Sequence, residues 1–143
     1  MVVSPNGSQV FAAGTSAGTG GTTEFVTVAY DTATGAKQWI RQYSANGRPM
    51  QAKAIAVSPD GSTVYVTGTS GARPANGVAY TRIVTIAYGA ATGSPLWRAN
   101  YGVRKQNSSA VALAVSPDGS TVFVTGTSHR RNGSYLATVA YSG

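Results

Sequence analysis

The chain of 143 residues is strongly basic, with 11 Lys and Arg against four Asp and Glu and a formal net charge of +7. Hydrophobic residues make up 42% and charged residues only 10%, which excludes a disordered chain, and the absence of cysteine excludes disulfides, thiolate catalysis and cysteine-bound metals. No apolar run approaches the roughly 18–20 residues of a membrane span, and no signal peptide is predicted because no charged and apolar leader follows Met1.

One stretch of fourteen residues occurs three times along the chain. It reads VSPNGSQVFAAGTS at residues 3–16, VSPDGSTVYVTGTS at 57–70 and VSPDGSTVFVTGTS at 115–128. The spacings of 54 and 58 residues lie in the range that is typical of solenoids and propellers. We therefore expect a single domain, residues 1–143, with repeats at approximately 1–51, 52–109 and 110–143.

Each repeat is predicted to begin with two strands, A and B, because helical spacing never appears. In the first repeat, strand A is shortened to about MVVS. In the second, AKAIAVSP (52–59) alternates as strand A, and STVYVTGTS (62–70) is a β-branched strand B. Pro-Asp-Gly between them predicts a turn, since Pro presets φ and Gly accepts a positive φ.

Strands C and D follow a Gly-rich loop and a second turn. Strand C is predicted at 25–30, 82–88 and 135–141, and strand D at 37–43 and 95–101. Eleven strands joined by tight turns predict an all-β fold. We expect these strands to form a β-propeller of about three four-stranded antiparallel blades, of which the last lacks its outer strand.

Two kinds of known repeat are similar to these segments. AYDTATGAKQW (29–39) and AYGAATGSPLW (87–97) resemble the Ala-x-Asp-x-x-Thr-Gly-x-x-x-Trp docking motif of pyrroloquinoline-quinone-type propeller repeats. VSPDGSTVYVTG resembles the YVTN-type repeats of bacterial surface and secreted proteins. The resemblance implies a scaffold fold and a secreted or cell-surface location, but no particular activity.

The resemblance also implies roles for individual residues. It assigns the docking of adjacent blades to Trp39 and Trp97. It assigns the turn between strands C and D to two sets of residues: Asp31, Thr34 and Gly35 in the first repeat, and Thr92 and Gly93 in the second. Gly89 stands where the motif has Asp, which puts one side-chain hydrogen bond of the second turn in doubt.

Three blades do not close a propeller, which typically needs four to eight. Two copies joined head to tail would form a six-bladed ring, so we expect a homo-oligomer, with a dimer favoured. The alternative is that the chain belongs to a longer propeller that supplies the missing blades. In either case the last strand C would be an open edge.

Charge is predicted to divide between the two faces of the disc, because successive strands alternate in direction. The A–B and C–D turns carry three of the four acids, Asp31, Asp60 and Asp118. The B–C and D–A loops carry six basic residues: Arg48, Arg73, Arg104, Lys105, Arg130 and Arg131. His129 lies beside the last two of them. Loops of this kind commonly carry binding sites, which predicts binding of an acidic polysaccharide or other polyanion. The alternative is that these charges are merely solvated; nucleic acid is disfavoured because no recognition module is visible.

The composition offers few residues of the types that commonly act in catalysis. His129, the only histidine, is predicted in a loop without a nearby carboxylate in sequence, so we assign no catalytic residue, metal or cofactor. Active quinone-dependent dehydrogenases, as the resemblance implies, need calcium ligands and a cysteine pair. We therefore predict a non-enzymatic scaffold or binding module. The alternative is a fragment of a larger propeller enzyme, quinoprotein-like or hydrolytic, with no activity of its own.

Overall fold

Eleven strands in three antiparallel sheets make up the described part of the chain. The computed structural model describes residues 1–45, 47–71, 80–102, 106–130 and 133–143, with the backbone alone at Thr19 and Arg130. The first sheet contains β1 (Val2–Val3), β2 (Gln9–Ala17), β3 (Thr23–Asp31) and β4 (Lys37–Tyr43). The second contains β5 (Met50–Val57), β6 (Thr63–Ser70), β7 (Arg82–Gly89) and β8 (Pro95–Tyr101). The third contains β9 (Asn107–Val115), β10 (Thr121–Arg130) and β11 (Gly133–Ser142).

Each sheet is one up-and-down blade in which neighbouring strands are consecutive in sequence. This arrangement confirms the predicted all-β fold of partial propeller blades. A short 3-10 turn, Thr19–Gly21, interrupts the path from β2 to β3. Within the described ranges, no helix is long and apolar enough to cross a membrane.

Burial differs between blades that share one sequence pattern. Strand β3 alternates between buried and half-buried positions, whereas six consecutive residues of β7 are buried. Alternation is expected for a sheet that is covered on one face, and continuous burial for a sheet that is covered on both. The second blade is therefore the middle layer of the three.

Two hydrophobic clusters hold the three layers together. The first joins Phe11, Phe25 and Trp39 of the first blade to Val66 and Ile86 of the second. The second cluster joins the opposite side of the second blade to the third blade, through Tyr65, Ile83, Ala87, Val122 and Val124. We call the side that a blade turns to the next blade its forward face, and the side that it turns to the preceding blade its rear face.

A glycine of the repeated VTGTS segment lies at a close contact between neighbouring strands and layers. A Cβ atom on Gly68 would lie 2.2 Å from the Gln51 carbonyl oxygen and 2.6 Å from the Phe25 ring. The β5–β6 register shifts between Ala52 and Ala54, which brings the backbone of β5 over this glycine. Gly68 therefore allows both the β5 backbone and Phe25 of the preceding blade to pack closely against β6.

Candidate anion-binding site

Trp39 lies between the first and second blades. Its side chain is only 6% exposed, and its Nε1 donates a hydrogen bond of 2.7 Å to the Ala90 carbonyl oxygen. Its ring lies 5.9 Å from that of Phe11 and 6.2 Å from that of Tyr88, measured between centroids. The indole therefore buries apolar surface and ties the turn after β7 to the first blade.

Trp97 occupies the equivalent place between the second and third blades. Its ring lies 5.9 Å from Tyr65 and 5.8 Å from Tyr141. It is half-buried rather than buried. The two tryptophans thus mark the two interfaces between blades.

The β3–β4 turn is organised by the Asp31 carboxylate. Its Oδ1 accepts hydrogen bonds from the Thr34 hydroxyl and amide, both at 2.8 Å, and from the Ala33 amide at 3.1 Å. These bonds, above all the one from the Thr34 hydroxyl, lower the pKa of Asp31. Gly35 completes the turn with φ of 69°.

The β7–β8 turn has no carboxylate and uses hydroxyl groups instead. The Thr92 hydroxyl donates to Ser94 Oγ at 2.9 Å and accepts from the Ser94 amide at 3.2 Å. Gly93 has φ of 68°, and Gly89 occupies the Asp position. This turn also contacts the first blade: Arg41 donates from Nε to the Gly93 carbonyl at 2.8 Å and from Nη2 to that of Thr92 at 3.0 Å.

The docking role of Arg41 was not predicted from the sequence. The signal available was a cation two residues after Trp39, which places both side chains on one face of β4. The second repeat has Ala99 at that position, so the signal is confined to one repeat.

A polar cleft of about 210 Å³ opens between the first and second blades. Three arginines from different elements line it: Arg48 from the loop before β5, Arg82 from the start of β7 and Arg98 from β8. The other lining residues are mostly small or polar: Tyr43, Ser44, Ala45, Ser70, Val84 and Asn100. No carboxylate occurs among these residues, so the cleft carries a concentrated positive charge.

Local structure positions each of the three arginines. The Arg98 Nη1 donates a hydrogen bond of 2.6 Å to the Tyr43 hydroxyl, which crosses from the second blade to the first. Arg82 pairs with Ser70 in the β6–β7 ladder, and the amide of Arg48 donates to the Ala45 carbonyl at 3.0 Å. Arg82 and Arg98 are exposed and Arg48 is half-buried, so an anion can reach the guanidinium groups from solvent.

Comparison between repeats separates this cleft from the common scaffold. The position of Arg82, opposite the last serine of strand B, holds Glu24 in the first blade and Tyr135 in the third. The position of Arg98, directly after the docking tryptophan of strand D, holds Ile40 in the first blade. The fold therefore does not require arginine at either position.

The predicted ligand-binding residues are brought together only in part. Arg48 lies in the cleft beside two arginines that the sequence did not single out. The side chain of Arg130, and the whole of four predicted residues, lie outside the described residues: Arg73, Arg104, Lys105 and Arg131. Comparing aligned positions among the repeats would have identified Arg82 and Arg98.

The predicted loop position of His129 is wrong. His129 lies in β10, paired with Asn107 on one side and Ser134 on the other. Its Nδ1 is 2.8 Å from the Ser134 hydroxyl, across the hairpin. Strand pairing continues beyond the repeated segment because Asn107 and Gly133 extend both neighbouring strands. His129 therefore stands in a three-stranded ladder and is not among the residues that line the arginine cleft.

The acidic turns bind their own backbone. Asp60 Oδ1 accepts from the Ser58 hydroxyl at 2.5 Å and from the Ser62 amide at 3.0 Å. Asp118 makes the equivalent bonds, and the serine hydroxyl contact is the main cause that lowers the pKa of each aspartate to about 2. In the described part of the chain, no three His, Cys, Asp or Glu side chains group as metal ligands.

Comparison with known families agrees with this architecture. The model of the SBBP beta-propeller repeat matches residues 38–73, which run from β4 through β6 and just beyond. The match therefore covers one β-propeller repeat within the chain. A search of curated proteins returned no significant match.

Proposed function

We propose that this propeller-repeat chain is a non-enzymatic scaffold that binds polyanions through the arginine cleft between its first two blades. The supporting observation is the convergence of Arg48, Arg82 and Arg98 without a lining carboxylate. Each guanidinium presents several N–H donors in a plane, a geometry suited to carboxylate and sulfate groups. The alternative is solvated surface charge, and the fold itself does not require arginine at positions 82 and 98.

The test uses heparin and duplex DNA as polyanions, at about 50 and about 200 mM salt. We expect binding that weakens with salt, and an Arg82→Glu variant that binds about tenfold more weakly or worse. Lys37→Glu changes the net charge by the same amount at an exposed position beside the β3–β4 turn, and should lose much less affinity. Absence of salt-sensitive binding, or equal losses in the two variants, would contradict the proposal.

We also propose that two copies of the chain associate head to tail into a six-bladed ring. The rear face of the first blade carries Val26 and Val28 where the second blade has buried Val84 and Ile86. The forward face of the third blade exposes 43% of Phe123 and 81% of Leu136, at positions that are buried in both other blades. These two uncovered faces repeat the two halves of the interfaces that already hold the chain together, which supports mutual docking.

A further inference from the structure

The cleft between the first and second blades has a second, apolar half. This apolar half has a volume of about 390 Å³. Its lining residues are Arg41, Gln42, Tyr43, Ile86, Tyr88, Pro95, Leu96, Trp97 and Arg98. Tyr43 and Arg98 line both halves. The two halves are therefore neighbouring compartments of one cleft, and each has a size in or near the range of ligand pockets.

The hydrogen bond between Arg98 and Tyr43 marks the boundary between the compartments. The guanidinium carbon of Arg98 lies 5.3 Å from the centroid of the Tyr43 ring. Among the described residues, one of the five N–H groups of Arg98 is engaged, by the Tyr43 hydroxyl. Arg98 can therefore donate further hydrogen bonds to a ligand that extends across the boundary.

The apolar half, like the arginine half, departs from the repeat pattern. Leu96 is 56% exposed and occupies the position directly before Trp97, where the first repeat has Gln38 before Trp39. Pro95 likewise replaces Lys37. A single exposed leucine needs no explanation, but here Leu96 and Pro95 extend an apolar surface that begins at Ile86, next to a cluster of cations.

The shape and chemistry of the two compartments favour a saccharide over a nucleobase. Three aromatic side chains line the apolar half: Tyr88 is only 4% exposed, Tyr43 lies under the Arg98 guanidinium, and Trp97 is half-buried against Tyr65 and Tyr141. These rings therefore offer less open surface than the stacking platforms on which bases bind. Ser44, Ser70 and Asn100 add neutral hydrogen-bonding groups to the arginine half, which suit sugar hydroxyls.

We propose that the cleft binds an acidic oligosaccharide, with a uronate carboxylate in the arginine half and the C–H face of an adjoining sugar ring against Leu96 in the apolar half. This inference rests on the proposed polyanion binding and names its ligand class. Arg82 and Arg98 bind the carboxylate, and Leu96 selects a ligand with an apolar face beside it. Sulfate ions or isolated carboxylates would use only the first half.

The experiment measures binding of trigalacturonate and of sodium sulfate by calorimetry, at one fixed salt concentration. Leu96→Gln restores the residue of the first repeat and should weaken trigalacturonate binding about fivefold, leaving sulfate binding unchanged. Arg98→Ile, the other exchange toward the first repeat, should weaken both. Val111→Thr changes another exposed apolar side chain, on β9, and should change neither.

The outcomes distinguish this inference from the proposed function. If Leu96→Gln binds trigalacturonate as the unaltered protein does while Arg98→Ile binds it weakly, the saccharide inference is overturned and polyanion binding stands. If an acidic peptide or DNA binds more tightly than trigalacturonate and loses affinity in Leu96→Gln, the ligand class is wrong. If the unaltered protein binds neither trigalacturonate nor heparin, both proposals fail. Circular dichroism checks the fold of each variant, and Arg82→Glu replaces Arg98→Ile if the latter unfolds.

Discussion

At the scale of single residues, equivalent positions in the repeats differ in how tightly they are packed. Gly35 and Gly93 both have a positive φ, near 69° and 68°. A Cβ atom on Gly35 would meet nothing within 4 Å, whereas one on Gly93 would lie 2.7 Å from Cδ2 of Trp39. Gly93 therefore satisfies both the turn and the packing of the indole from the preceding blade.

We predict that Gly93→Ala destabilises the protein more than Gly35→Ala does. Both changes place a side chain in the left-handed region, at a cost of about 1 kcal/mol. Only Gly93→Ala also displaces Trp39, which adds about 1–3 kcal/mol as in other overpacked cores. Urea denaturation of the two variants measures the difference, and equal free energies of unfolding would contradict it.

At the scale of elements, the A–B turns are small units organised around one Asn or Asp side chain each. Asn6 in the first repeat accepts the same bonds as Asp60 and Asp118: 2.8 Å from the Ser4 hydroxyl and 3.1 Å from the Ser8 amide. The turn therefore works with an amide as well as with a carboxylate. This gives a substitution that removes the titrating group and keeps the geometry.

We predict that Asp60→Asn combined with Asp118→Asn reduces the acid sensitivity of the fold. The folded-state pKa of both aspartates is about 2, below the ordinary value of 3.8. A lowered folded-state pKa gives stability that is present above the unfolded-state pKa and is lost as pH falls toward the folded-state pKa. The unaltered protein should therefore lose more stability than the variant between about pH 4 and about pH 2. Thermal unfolding of both proteins across this pH range tests the prediction. Melting temperatures that fall equally with pH in the two proteins would contradict it.

The sequence predicts the strands better than the site because the two depend on different ranges of interaction. Alternation and Pro-Asp-Gly turns are local, so all eleven strands and their order follow from short segments. His129 was misplaced because its pairing depends on Asn107 and Ser134 in neighbouring strands. The arginine cleft depends on packing between two blades, which brings Arg48, Arg82 and Arg98 together from separate elements.

At the scale of the whole molecule, the three layers leave two apolar faces uncovered in a single chain. We predict a native mass of twice the chain mass in solution, measured by light scattering during gel filtration. Leu136→Lys places a charge on the forward face of the third blade and should give the single-chain mass, because a buried charge without a partner opposes docking. Leu96→Lys changes an exposed leucine away from both end faces and should remain dimeric. A single-chain mass for the unaltered protein would contradict ring formation.

The segments VSPDGSTVYVTGTS and VSPDGSTVFVTGTS are nearly identical in the second and third blades, whereas the sequences of strand D differ between blades. Strands A and B and their turn must fit neighbours on both sides, so their residues are constrained together. The outer strands differ freely: KQWIRQY in β4 and PLWRANY in β8 share the docking tryptophan but few other side chains. A change in ligand preference can therefore arise on strand D, where Leu96 and Arg98 lie, without changing strands A and B of the blade.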